Sequence, residues 1–382
     1  MTYGVDLVTI APGSPSAHDA AVDYVQTVRR HDEGRRPQEG GIARMTAPLE
    51  VSAGSTTADP DAVYAGVGDI RGRSPGEIAW IRLKRDKVAI AGGAMVLFLV
   101  LVAIFAKWPF GGIIGLLGHP PNEPHVDLID PVFSKPRGAW GGISKDFLLG
   151  VEPVNGRDIF SRIVAGSQIS LLVAFLATLL SVTIGTVFGV TAGFFGGKVD
   201  TLISRSMDIF LAFPLLLFAI AIVGVIPDSA DLGPVSLQDN NLRLAVLVFI
   251  IGFFNWPYFG RIIRGQTLSL REREFVDAAR SLGATNRWII TRELMPSLIA
   301  PILVYSTLLI PTNILFEAAL SFLGVGVSEP QASWGGMLTR AVDFYQTAPL
   351  FMIVPGMAIF ITVMSFNLFG DGLRDALDPR GR

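Results

Sequence analysis

A chain of 382 residues that is 50% hydrophobic and only 17% charged, with a mean hydropathy of +0.49, is too apolar for a soluble domain and reads as an integral membrane protein. The net charge of −2 gives no basis for a nucleic-acid partner. Cysteine is absent, which excludes disulfides, thiolate metal sites and a cysteine nucleophile.

Residues 1–78 mix Gly, Ser, Pro, Asp and Arg without a sustained period and are expected to form a disordered cytoplasmic tail. Arg29-Arg30 and Arg35-Arg36 are followed by no apolar run, so a twin-arginine export signal lacks its second half. Met45 would serve as a translation start as well as Met1. Residues 79–382 read as one transmembrane domain. Its first span, 88–106, has nineteen residues and no charge, enough to cross about 30 Å of hydrocarbon as a helix. Five more follow at 169–193, 209–226, 244–260, 298–316 and 348–369, separated by a long outer loop at 107–166 and a polar loop at 261–297. Pro214, Pro257, Pro301 and Pro311 lie in these spans, where neighbouring helices satisfy the freed backbone groups.

Six spans put both ends on one side. With the N-terminus inside, eighteen Lys and Arg residues flank the spans in the cytoplasm, against eight on the other face. The expected architecture is therefore an all-α membrane protein of six transmembrane helices, N-in and C-in, with the 261–297 loop in the cytoplasm.

The search for catalytic chemistry returns little. GVTAGFFGGKVD imitates the end of a phosphate-binding loop, but Ala192 stands where its first glycine belongs and Val199 where Ser or Thr would hold magnesium. It reads as a glycine-rich turn. His119 and His125 flank Glu123 in the outer loop; without a helix to set their spacing they read as solvated loop residues and not as metal ligands. Paired carboxylates and hydrolase triads do not stand out, so the chain is expected to bind no cofactor or metal of its own.

The polar island at 274–296, EFVDAARSLGATNRWIITRELMP, separates two long apolar blocks. Phe275, Ala278, Ala279 and Leu282 fall at i, i+3, i+4 and i+7 of a helix, a shallow stripe that another surface could approach closely. Arg273, Asp277 and Arg280 lie at salt-bridge spacing. Gly283 suits a left-handed helix end, and Thr285 suits the cap of a second helix that carries Trp288, Ile289, Ile290 and Leu294 to Pro296. A short amphipathic hairpin packed on its own protein is the plainer reading of such a segment.

DAARSLGA followed by an Arg-rich helix and Met295-Pro296 resembles the EAA loop of ABC importer permeases. SPGEIAWIRLKRDKVAIAGGAMV, GVEPVNGRDIFSRIVAGSQISLLVAFLA, AGFFGGKVDTLISRSMDIFLAFP, EAALSFLGVGV, SWGGML and FNLFGDGLRDALDPR are similar, in the same order, to the C-type permease subunit of dipeptide, oligopeptide and nickel importers. The resemblance covers 74–382. Asp277 stands where the family's loop often has Glu, Met295 where it has Leu, and Glu293 where it often has His.

The resemblance implies a type I ABC importer permease fold. It also implies the partners: a second permease subunit, two ATP-binding subunits that carry ATP and Mg, an extracytoplasmic substrate-binding protein, and membrane lipid. In that picture the chain hydrolyses nothing itself and belongs to a bacterial inner membrane. Residues 271–282 would be the coupling helix, with Glu274, Asp277, Ala278, Ala279, Arg280 and Gly283 as its coupling residues. Di- or oligopeptides are the expected substrates, with nickel or another small solute as the alternative.

Asn255, Asn313 and Glu317 are candidates for lining the path, since polar groups within spans are functional candidates by default; Asn367 is a further polar group there. A structural role for Glu317 is the competing reading. Trp334, Gly335 and Gly336 in the outer loop are candidates for contacting the binding protein or lining the entrance, against a re-entrant loop that closes the bundle. A secondary transporter would need ionisable groups at span midpoints, which are nearly absent. A membrane enzyme would need a catalytic cluster, and none stands out.

Overall fold

In the computed structural model, residues 75–107, 112–223, 229–231 and 236–378 are described. The expected tail, including both arginine pairs and Met45, lies outside them apart from 75–78, which belong to helix α1 (Pro75–Arg85). The expected boundary at 79 therefore falls within a helix. Residues 71–382 form one compact unit.

The chain continues from α1 as α2 (Lys87–Phe105), α3 (Gly112–Leu117), α4 (Ile159–Phe195), α5 (Gly197–Ala212) and α6 (Leu215–Val223). A two-stranded antiparallel pair, β1 (Ser229–Asp231) and β2 (Ser236–Gln238), leads into α7 (Asp239–Arg271). Then come α8 (Glu274–Ser281), α9 (Asn286–Trp288), a π-helical turn (Ile289–Leu294), α10 (Met295–Phe322), α11 (Trp334–Ala341) and α12 (Pro349–Leu377). Among the described residues five helical stretches are long and apolar enough to cross a membrane, and the bent pair α5–α6, counted as one span, brings the number to six.

Two expectations are corrected here. The third span is not one helix over 209–226, because α5 and α6 meet at 75°. Phe213 is extended (φ −80°, ψ 127°), as the residue before a proline prefers, and Pro214 cannot continue the helix behind it. The second helix of the polar island does not stop at Pro296 either. It runs without a break from Asn286 to Phe322, 37 residues or about 55 Å. Pro296 directly follows the π turn, where the Met295 amide already bonds five residues back to the Ile290 carbonyl, so the proline falls where the α-helical ladder is interrupted in any case.

Helices α4 and α7 form the centre of the bundle, as a ridge of small residues allows. A Cβ on Gly185 would meet the Trp256 carbonyl at 2.9 Å, and one on Gly189 the Gly260 carbonyl at 2.7 Å, so the backbones touch where apolar side chains would hold them apart. Arg82 donates to the Asp378 carbonyl at 2.7 Å, which puts the two ends of the helical unit at the same end of the bundle, as an even number of spans requires. Gly196 makes the tight turn between α4 and α5, with Gly196 and Gly197 at φ 66° and 53°, and Lys198, Val199 and Asp200 already belong to the first turn of α5.

At the opposite end, the outer loop is folded and not merely solvated. His119 stacks on Phe147 at 4.4 Å and meets His125 edge-on at 5.1 Å, so both rings pack, half-buried, in an aromatic cluster instead of standing in water. Asp158 caps α4, accepting from the Phe160 and Ser161 amides, and also accepts from the His119 amide at 3.2 Å.

Candidate coupling site

Helix α8 is only eight residues long and would be marginal alone; tertiary packing holds it. Val276 is fully buried and Ala279 nearly so, in a cluster with Ile289, Leu294 and Leu298 of the following helix, Val190 and Phe194 of α4, and Phe259 and Ile263 of α7. The 261–297 loop is thereby packed against three spans at once. Arg280 pairs with Asp277 at 3.2 Å and lies 5.9 Å over the Phe194 ring. Glu274, in the first turn, is exposed and favourably placed toward the helix N-terminus.

Gly283 has φ +82°, and its amide and that of Ala284 close the end of α8 by donating to the Arg280 and Ala279 carbonyls. Thr285 then caps the next helix by accepting from the Trp288 amide at 3.4 Å. Both are as the sequence leads one to expect. The expected stripe is not. Ala279 faces the protein's own core with Val276, which sequence reasoning missed, whereas Phe275 (37% exposed), Ala278 and Leu282 (89% exposed) form the outward face. Ala279 therefore sets how closely α8 lies on the bundle, and Ala278 alone of the two alanines meets the outside. Nothing in the structure explains Glu293, whose carbonyl accepts from Ser297.

The path candidates fall into two groups. Asn255 donates to the Asn313 side-chain oxygen at 2.8 Å, Asn313 donates to Thr178 at 2.8 Å, and Thr178 returns to the Ala174 carbonyl at 2.7 Å. This polar chain ties α7, α10 and α4 together inside the bundle. With Asn313 fully buried, it acts within this subunit as interhelical bonding. Glu317 is fully buried too, and accepts from Ser321 at 2.7 Å. It reaches neither water nor a channel in this conformation. Asn367 is half-buried.

Trp334 and Gly335 are buried, which removes them as contacts for another protein in this conformation. The Trp334 indole N–H donates to the Ile163 carbonyl at 3.0 Å and its amide to Ser170 at 3.3 Å, while a Cβ on Gly335 would lie 2.6 Å from the Ala318 carbonyl. Gly336, half-buried, donates its amide to the Ser333 cap. The segment closes the bundle: its glycine lets α11 lie on the backbone of α10, and Thr339 donates to the Ser321 carbonyl at 3.1 Å.

Beside α11 lies a charged cluster that the sequence did not reveal. Buried Glu152 pairs with Arg157, and Arg340 lies 3.4 Å from Glu152. Glu329 takes Arg157 at 2.6 Å, Arg162 at 3.0 Å and Arg340 at 3.1 Å. It locks the outer loop, α4 and α11 to one another. At the other end of the bundle, Asp200 of α5 holds Arg264 of α7 at 2.7 Å, and Asp208 pairs with Arg261 as well as with Arg205, at 3.7 Å.

Residues 185–382, more than half of the chain, match the family described as binding-protein-dependent transport system inner membrane component. The chain belongs to this family. Residues 74–121 match a second description, the N-terminal TM domain of oligopeptide transport permease C. A dipeptide transport system permease protein of Alkalihalophilus pseudofirmus is 40% identical over 307 residues, covering 80% of this chain and 90% of that protein. A glutathione transport system permease protein of Escherichia coli is 37% identical over 310 residues, covering 81% and 91%. Among solved structures, an inward-facing MetNI methionine ABC transporter chain gives a TM-score of 0.45 at 16% identity over 58% of this chain and 98% of that one. The protein is thus a multi-pass inner-membrane permease subunit of an ABC importer, a class that works with ATP-binding and substrate-binding partners.

Proposed function

We propose that this permease imports di- or oligopeptides, together with a second permease, two ATP-binding subunits and an extracytoplasmic binding protein, and that α8 is the element through which ATP hydrolysis in those partners moves its spans. The observation that carries the reading is the division of α8 into two faces. Val276 and Ala279 fasten it to the bundle, while Phe275, Ala278 and Leu282 present apolar surface to the cytoplasm with Glu274, Asp277 and Arg280 around them. An apolar centre with a charged rim suits a protein partner. The π turn and α10 continue without a break from this loop to Ser321 and Glu317 beside α11, so one helix links α8 to the far end of the bundle. Coupling then requires only that the ATP-binding subunits favour one arrangement of the spans over another. The chain needs no nucleotide of its own, since ATP and Mg reside in the partners. Peptide as the substrate class rests on the relatives that share most of the chain.

Leu282→Asp tests the docking face. The side chain is 89% exposed, so the variant should insert and melt like wild type, within about 0.5 kcal/mol. Recovery of the ATP-binding subunits with the tagged permease should fall at least about tenfold, as expected for a charge placed in a desolvated contact. Undiminished co-purification would remove α8 as the docking element.

A further inference from the structure

One large cavity is used by nothing described so far. It is a half-open groove of about 900 Å³ between α2, α4, α10 and α12, within the size range of ligand sites at roughly 300–1,000 Å³. Its walls are apolar: Val100 and Ile104 of α2, Leu172 and Phe175 of α4, Phe366 and Phe369 of α12. Its polar groups gather mainly at one end, where Lys107, Asn122, Gln168 and Gln331 line it. That end is the one opposite the coupling loop, beside the start of α4. Lys107 directly follows the first span, and Gln168 directly precedes the second span as its hydropathy defines it. Gln168 lies nine residues after the start of α4 at Ile159; with the membrane edge placed at Lys107, the polar end of the groove lies toward the headgroups and its apolar walls extend into the hydrocarbon.

Lys107 is exposed and has no acidic partner among the described residues. Arg162 donates to the Asn122 side-chain oxygen at 3.1 Å, which leaves the amide N–H groups of Asn122 to donate elsewhere. The groove thus offers a cation and amide donors at the surface and an apolar trough below. We propose that it holds one anionic phospholipid of the leaflet opposite the coupling loop, its phosphate against Lys107 and the amides and its acyl chains along α2 and α4. Charge and depth both select this occupant: a helix from a second permease would bring apolar side chains to the level of Lys107 and leave the ammonium without an anion.

Native mass spectrometry of the whole importer, purified after exposure to phosphatidylglycerol or phosphatidylcholine, tests the assignment. Wild type should retain phosphatidylglycerol preferentially. Lys107→Gln should lower that retention about fivefold, the share of one basic residue at a membrane surface. Val100→Trp, which fills the trough and leaves the charge in place, should remove the retained lipid of either headgroup. Equal retention of both lipids by wild type, or retention that survives either variant, overturns the proposal. So does a cross-link from Ile104→Cys, unique in this cysteine-free chain, to the second permease in native membranes.

Discussion

Gly283→Val should leave the importer assembled and abolish its substrate-stimulated ATP hydrolysis, with uptake reduced at least about tenfold. The substitution has room, since nothing lies within 4 Å of where a Cβ would stand; what it lacks is a permitted backbone, because φ is +82°. A β-branched residue held there costs about 1–3 kcal/mol. The chain relieves that cost by reshaping the link between α8 and α9, which tilts the docking face away from its partner while the buried anchors Val276 and Leu294 stay in place. Gly283→Asn is the control. Asparagine tolerates the left-handed conformation and should keep most of the coupled hydrolysis, whereas a requirement for an unobstructed surface would make Asn and Val equally harmful. ATPase activity of the purified importer with and without binding protein and substrate separates the two.

Glu152→Ala should be the most destabilising single change at the opposite end. Glu152 is fully buried against Arg157, with Arg162 and Arg340 beside it, and burial pushes its carboxyl above the ordinary range in spite of the arginines. Removing it leaves three guanidinium groups with Glu329 alone, and a broken buried ion pair costs about 3–5 kcal/mol. Thermal unfolding of the detergent-solubilised protein should shift accordingly. Glu152→Ala combined with Arg162→Met should recover part of the loss, because the two changes share one network. A melting temperature unchanged by Glu152→Ala would mean that the outer loop is held by its aromatic cluster and not by these charges.

Much of the helical framework was legible, because apolar runs of membrane length have few alternatives in a chain this hydrophobic. Gly283 and Thr285 were legible as well, since a left-handed end and a hydroxyl cap each demand particular residue types. The buried face of α8 was not. In EFVDAARS small and apolar residues fall on more than one helical face, and only the neighbouring spans decide that Val276 turns inward and Phe275 outward. For Trp334 the sequence left two readings open, contact with another protein or closure of the bundle, and only the approach of α11 to the Ala318 carbonyl favours closure. The charged cluster joins Arg340 to Glu152 across 188 positions, beyond any local pattern. One signal pointed to it. Arg157, Arg162 and Arg340 were among the few cations on the outer face, against the bias that oriented the chain, and such residues call for buried partners.

Helix α8 is the proposed contact through which ATP hydrolysis reaches the spans, and cysteine cross-linking in the assembled importer examines that contact most directly. The chain has no cysteine, so Ala278→Cys introduces a single thiol on the exposed face of α8. A short bifunctional reagent should join it to the ATP-binding subunit, with a yield that changes when ATP binds. A thiol at Ala278 that joins only lipid or the permease itself, with and without ATP, would rule out α8 as that contact.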